Sequence, residues 1–247
     1  MNREVMHWYS HRTGLNMPIV RYGHWGPALL LVPTWQADCF ESEQKGLIGA
    51  IAHHIDAGRV TVFCINTITP VSWCAHDVPM HEKARRSAAF SEYIDEEVVP
   101  HIRRVLQDDQ ARVAIGGASF GAYFAADALF RRPDLYHALI GMSGMYQLGN
   151  FLEHGYSDEN VYYHSPAWYV PRMPEGPVLQ RLRTDAKIHL LCGRGEWEEP
   201  WETESFAATL REKGIPHWLD MWGHDVPHDW PTWHRMLELV VRERMAW

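Results

Sequence analysis

Several familiar devices are missing from this chain, and each absence removes a class of explanation. Only four cysteines occur in 247 residues (Cys39, Cys64, Cys74, Cys192), and none has Cys-x-x-Cys spacing, so neither a disulfide framework nor a thiolate metal site is expected. Cys64 and Cys192 fall inside apolar runs and read as buried free thiols. Basic residues are outnumbered 23 to 31, for a net charge of −8 with no local basic cluster, which argues against nucleic acid or an anionic membrane as partner. No apolar run approaches the length of a membrane span. The first nine residues hold no apolar segment of a secretory signal. A soluble, cytoplasmic chain is therefore expected. No linker, repeat, charge block or low-complexity tract divides the sequence, so residues 1–247 are expected to form a single domain. His-Glu-x-x-His is absent, as is a long amphipathic lid.

What is present is an alternation of strand and helix. Residues 4–13 and 16–22 read as two strands turning at Gly14, an antiparallel start. Strands are then expected at 28–32, 59–66, 112–116, 137–142, 187–192 and 217–222. Helices are expected at 45–57, at 82–106 with a kink or split at Pro100, at 122–130, at 202–213 and at 230–245, the last capped by Asp229 with Pro231 in its first turn. Residues 67–80 read as a long loop and 144–186 as an aromatic-rich excursion. The alternation predicts an α/β chain with a mostly parallel central sheet covered by helices on both faces. Reactive groups in such a sheet gather at the carboxyl ends of the strands.

One of those ends carries the most informative motif. Residues 113–121 read Val-Ala-Ile-Gly-Gly-Ala-Ser-Phe-Gly and lead into a helix-forming segment. Three residues in a Gly-x-Ser-x-Gly pattern arise by chance in roughly one chain in ten of this length, so the weight lies in the strand before and the helix after. A sharp turn there exposes Ser119 Oγ, and any side chain at 117 or 121 would collide with backbone. A serine hydroxyl needs a base, and the base needs an orienting acid. In this architecture the chain order is serine, acid, histidine. The last expected strand is followed by His224 and His228, with His228 fixed between Pro227 and Pro231. The strand ending at Cys192 is followed by Gly193-Arg-Gly-Glu196-Trp197-Glu198-Glu199. Glu198, bracketed by Trp197 and Trp201, is preferred as the acid, Glu196 is the alternative, and Glu199 is the outsider. The oxyanion donors are expected to be the Phe120 amide and that of Trp35, with Gln36 as second choice for the latter.

Gly-Ala-Ser-Phe-Gly after an apolar strand, Cys-Gly-x-Gly followed by acidic residues, and His228-Asp-Trp-Pro-Thr-Trp233 together resemble the esterase D-like, feruloyl esterase-like branch of the α/β-hydrolase superfamily. The resemblance runs from about Ala28 onward. It implies an α/β-hydrolase fold with antiparallel N-terminal strands, and it selects His228 over His224. It places the acid a few residues past the penultimate core strand, which both Glu196 and Glu198 satisfy. Many members of the branch carry Asp there, and many have a His-Gly oxyanion loop where this chain has Pro33-Thr34-Trp35-Gln36.

The resulting expectation is a serine esterase working through an acyl-enzyme with a Ser-His-Glu triad, requiring no cofactor or metal and acting on a small-molecule ester. Trp73, His224 and Trp197 are expected to contact substrate. Trp35, Trp73, Tyr146, Phe151, Tyr162, Tyr163 and Trp168 either wall an uncharged pocket or pack the excursion onto the body. Three other readings compete. The same triad could transfer the acyl group to an alcohol or amine. His224-x-x-x-His228 or His53-His54 could hold a metal, although Pro227 disfavours a shared helix face for the first pair. A non-catalytic binding module on this fold is the third.

Overall fold

The computed structural model describes residues 1–245. Its strands are β1 (Arg3–Ser10), β2 (Leu15–Tyr22), β3 (Ala28–Val32), β4 (Thr61–Ile65), β5 (Val113–Ala118), β6 (Tyr136–Met142), β7 (Lys187–Cys192) and β8 (Trp218–Met221). They form one sheet in the order β1-β2-β4-β3-β5-β6-β7-β8. β1 pairs antiparallel with β2, and β2 antiparallel with β4. Every other neighbouring pair is parallel. This is the mostly parallel sheet with an antiparallel N-terminal edge that the sequence leads one to expect.

The helices are α1 (Glu41–Gln44), α2 (Leu47–Ala50), α3 (Ala52–Asp56), α4 (Met80–Tyr93), α5 (Val99–Leu106), α6 (Phe120–Arg131), α7 (Glu159–Tyr163), α8 (Pro166–Tyr169), α9 (Pro177–Thr184), α10 (Pro200–Glu212) and α11 (Trp230–Glu243). Successive strand residues point to opposite faces, and β3 shows this directly. Leu30 and Val32 join a core layer with Phe90 of α4, Phe124 of α6 and Phe206 of α10. Leu29 and Leu31 join the opposite layer with Ile48, Ile55, Met236 and Val240. Both sheet faces are thus covered, as an unbroken apolar run such as Ala-Leu-Leu-Leu-Val requires.

Two departures from the sequence reading have local causes. The helix expected over 45–57 is two short pieces, α2 and α3, and a third, α1, precedes them. Gly46, at φ 82°, opens α2, and Ile51, at φ −112° and ψ 12°, separates it from α3. Around Pro100 the chain neither breaks nor simply kinks. A π-helical turn over Ile94–Val98 joins α4 to α5, lengthening the register where a proline lacks its amide and crowds the carbonyl four residues back. Asp229 does cap α11, accepting the Thr232 amide at 2.9 Å. All four cysteines are free, and only Cys74 is not buried. Among the described residues no helix is long and apolar enough to cross a membrane.

Candidate active site

Ser119 occupies the bend between β5 and α6. Its backbone sits at φ 53° and ψ −119°, a conformation a non-glycine residue holds only when its surroundings force it. The forcing is visible on both sides. A Cβ on Gly121 would lie 2.4 Å from the Val32 carbonyl oxygen and 2.8 Å from that of Pro33, and one on Gly117 would lie 2.5 Å from the Gly121 carbonyl carbon. The start of α6 therefore presses onto the end of β3, which only glycine permits. From Val113 through Phe130, Ser119 is the one residue that is not buried.

Backbone hydrogen bonds align the strand ends beside it. The Ser119 amide donates to the Met142 carbonyl at 2.9 Å, the Ser143 amide to Leu191 at 2.7 Å, and the Trp222 amide to Cys192 at 2.8 Å. The loops after β7 and β8 are then zipped together. Gly195 donates to Val226 at 2.9 Å, and the His228 amide donates to the Glu196 carbonyl at 2.9 Å. The serine, the acidic segment and the histidine thus share one end of the sheet.

There the His228 Nδ1 meets Glu198 Oε2 at 3.0 Å. The Glu198 side chain is 1% exposed and that of His228 is 23% exposed. Glu198 Oε1 accepts two further bonds, from Ser143 Oγ at 2.6 Å and from the Gly193 amide at 3.0 Å. Burial works to raise the Glu198 pKa, but the hydrogen bonds from His228 and Ser143, with the Gly193 amide, hold it below the usual glutamate value. Ser143 in turn accepts the Trp233 indole N–H at 3.0 Å, and the Trp233 ring meets the His228 ring edge-on at 5.0 Å. Ser143, at φ 46°, and Trp233 were not singled out from sequence as site residues. The available signal was position: Ser143 is the polar residue directly after β6, at the reactive end. Among the described residues the Ser119 hydroxyl and His228 Nε2 each have no hydrogen-bond partner.

The facing loop is held just as firmly. Glu41 accepts the Thr34 amide at 2.8 Å and its hydroxyl at 2.6 Å. The Gln36 amide donates to Thr69 Oγ1 at 2.9 Å, so it is already engaged. The Trp35 amide, like that of Phe120 at the first position of α6, has no partner among the described residues. The Trp35 ring packs edge-on against Phe120 at 4.7 Å and stacks on Phe151 at 4.8 Å.

Other expected site residues lie elsewhere. The Glu196 side chain is exposed and makes no contact with His228; its contribution is the backbone carbonyl. Glu199 is exposed as well. Trp197, at φ 65°, is 80% exposed and Trp201 is 51% exposed, so neither ring is packed down in the way expected for desolvating Glu198. His224 is exposed on the turn after β8. Trp73 is buried, with its indole N–H on Ser87 Oγ at 3.0 Å, and Tyr146 is fully buried against Phe206 at 4.4 Å. Both are core rather than cleft wall.

The family model described as "Putative esterase" matches residues 46–243. Among solved structures, the chain is similar to a ferulic acid esterase at 17% identity and TM-score 0.76, covering 97% of this chain and 96% of that one. It is similar to an S-formylglutathione hydrolase from Staphylococcus aureus at 14% identity and TM-score 0.71, covering 97% and 94%. It is also similar to MPT51 from Mycobacterium tuberculosis at 15% identity and TM-score 0.72, covering 98% and 97%. No curated protein matches the chain. A family match over most of its length, on this sheet and with a serine at its central bend, identifies the chain as a member of the esterase family of α/β-hydrolases and a carboxylic ester hydrolase.

Proposed function

We propose that the ester is cleaved through an acyl-enzyme on Ser119. The observation that carries this reading is the fixed carboxylate behind an imidazole: Glu198 bonds His228 Nδ1 at 3.0 Å while two other donors lock its second oxygen. An imidazole so held keeps its proton on Nδ1 and presents Nε2 as the base. His228 Nε2 takes the Ser119 proton as Oγ attacks the ester carbonyl. Glu198 stabilises the imidazolium that forms, and His228 then protonates the leaving alcohol. Water attacks the acyl-enzyme in the reverse sense, with His228 again the base. The amides of Phe120 and Trp35 bind the oxyanion of both tetrahedral intermediates, each worth about 3–4 kcal/mol of transition-state stabilisation. Phe120 contributes from the first turn of α6, where unpaired amides and the helix dipole favour negative charge.

The substrate is a small uncharged ester whose acyl group rests near the stacked rings of Trp35 and Phe151. Turnover of p-nitrophenyl acetate tests this reading. Wild type should show a burst of nitrophenol followed by a steady rate, and Ser119→Ala and His228→Ala should each lose at least 10³-fold in kcat, as expected on removing one member of such a unit. Unchanged turnover in Ser119→Ala would refute it.

A further inference from the structure

His53 and His54 are the second and third residues of α3, their ring centroids 3.8 Å apart. Across from them is Glu238 on α11, about 12 Å along that helix from its start at Trp230. One ligand atom from each of the three residues falls within 4.8 Å of the other two. A second observation singles out this cluster. His54 is 2% exposed, yet neither of its ring nitrogens has a hydrogen-bond partner. A buried imidazole is ordinarily satisfied at one nitrogen at least, because burying an unpaired polar group costs free energy. His54 thus offers a ring-nitrogen lone pair that the protein itself does not use.

We infer that His53, His54 and Glu238 form a binding site for a divalent transition-metal ion, separate from the Ser119 site, that ties α3 to α11. Two imidazoles and one carboxylate suit zinc, with water filling the fourth position. Donors around tetrahedral zinc lie roughly 3.3 Å apart at the usual bond lengths. His53 is exposed and Glu238 is half-buried, so rotation of these two outer side chains closes the remaining gap onto the fixed His54. Arg242 now competes for the carboxylate, its Nη1 standing 3.2 Å from Glu238 Oε1. The arginine side chain is 52% exposed and can swing into solvent. None of the three residues touches Ser119, His228 or Glu198 in the contacts described. Its role is therefore structural: it would pin the helix that carries Trp233 and follows His228.

Zinc itself is the probe. Full-length protein freed of metal by chelator is titrated with zinc chloride by calorimetry, and with Co²⁺ while its visible absorption is followed. Wild type should bind one equivalent saturably, give the absorption of a low-symmetry Co²⁺ site, and melt at a higher temperature with zinc present. Glu238→Gln should weaken binding about tenfold or more, and the double variant His53→Gln, Glu238→Gln should lose saturable binding. Arg242→Gln should strengthen it several-fold. None of these changes touches the Ser119 site, so basal p-nitrophenyl acetate turnover should be unchanged in all of them and serves as the folding control. Absence of saturable binding to wild type would overturn the inference. So would equal affinity in the double variant, which would locate the zinc on other histidines.

Discussion

Glu198→Gln is the sharpest probe of how the imidazole is held. In the wild type, Oε1 faces two donors, Ser143 Oγ at 2.6 Å and the Gly193 amide at 3.0 Å, while Oε2 faces His228 Nδ1 at 3.0 Å. The Gly193 amide is part of the backbone and cannot turn away. The glutamine carbonyl must therefore take the Oε1 position, which leaves its NH₂ pointing at His228. To accept that bond, Nδ1 has to give up its proton, and the proton moves to Nε2. His228 then has no lone pair for the Ser119 proton. The corresponding acid-to-amide change in a serine triad, with geometry intact and the wrong tautomer, costs about 10⁴ in kcat, or about 5.4 kcal/mol at 1.36 kcal/mol per tenfold. The same loss is expected here, measured as kcat on p-nitrophenyl acetate, with thermal melting as the check on folding. Glu196→Gln should stay within about twofold, since only its backbone carbonyl meets His228. A Glu198→Gln variant retaining more than a tenth of kcat, or a larger loss at Glu196, would refute the reasoning.

Ser143→Ala removes one donor from Glu198 and leaves the Trp233 indole N–H without its acceptor; a loss of about 1–3 kcal/mol in urea unfolding is expected, together with a fall in kcat rather than a rise in KM. Asp127 is fully buried on α6 among Arg131, His164 and Ser91. Burial pushes its pKa up, but Arg131 and His164 outweigh that and hold it at about 2. Because the folded value is depressed, its stabilising contribution is complete above the ordinary range near 3.8 and disappears as pH falls toward 2. Asp127→Asn should therefore cost about 3–5 kcal/mol at neutral pH, and melting curves of wild type and variant should converge across that acid window. Gly121→Ala would drive its methyl into the Val32 carbonyl, displacing the Trp35 loop; kcat should fall about 10²–10³-fold, and near-normal turnover would contradict the close packing described.

The parts of the fold legible in sequence are those set by local patterns. β3 and β7 are readable to the residue because an unbroken apolar run ends at Pro33 and a mostly apolar one ends at Gly193. The bend at Ser119 is readable because its glycines fall between an apolar strand and a helix-forming segment, and the close contacts there exclude a side chain at 117 or 121. Features set by tertiary contact are not. The Glu196 and Glu198 side chains are two residues apart on a loop, and only the positive φ at Trp197 and the pairing of that loop with 223–228 send one inward and leave the other exposed. Trp73 reads as a substrate contact and Tyr146 as either pocket wall or packing, because their loops follow strand ends, and both find partners in the core, Ser87 and Phe206. The bond from Ser143 to Glu198 spans 55 residues of sequence, beyond the reach of any periodicity.

Covalent capture reaches the central claim most directly. A fluorophosphonate should add one equivalent to the wild-type chain, and peptide mass spectrometry should place it on Ser119. Labelling should vanish in Ser119→Ala and slow sharply in His228→Ala and Glu198→Gln. An adduct on any other residue, or undiminished labelling of Ser119→Ala, would contradict the account.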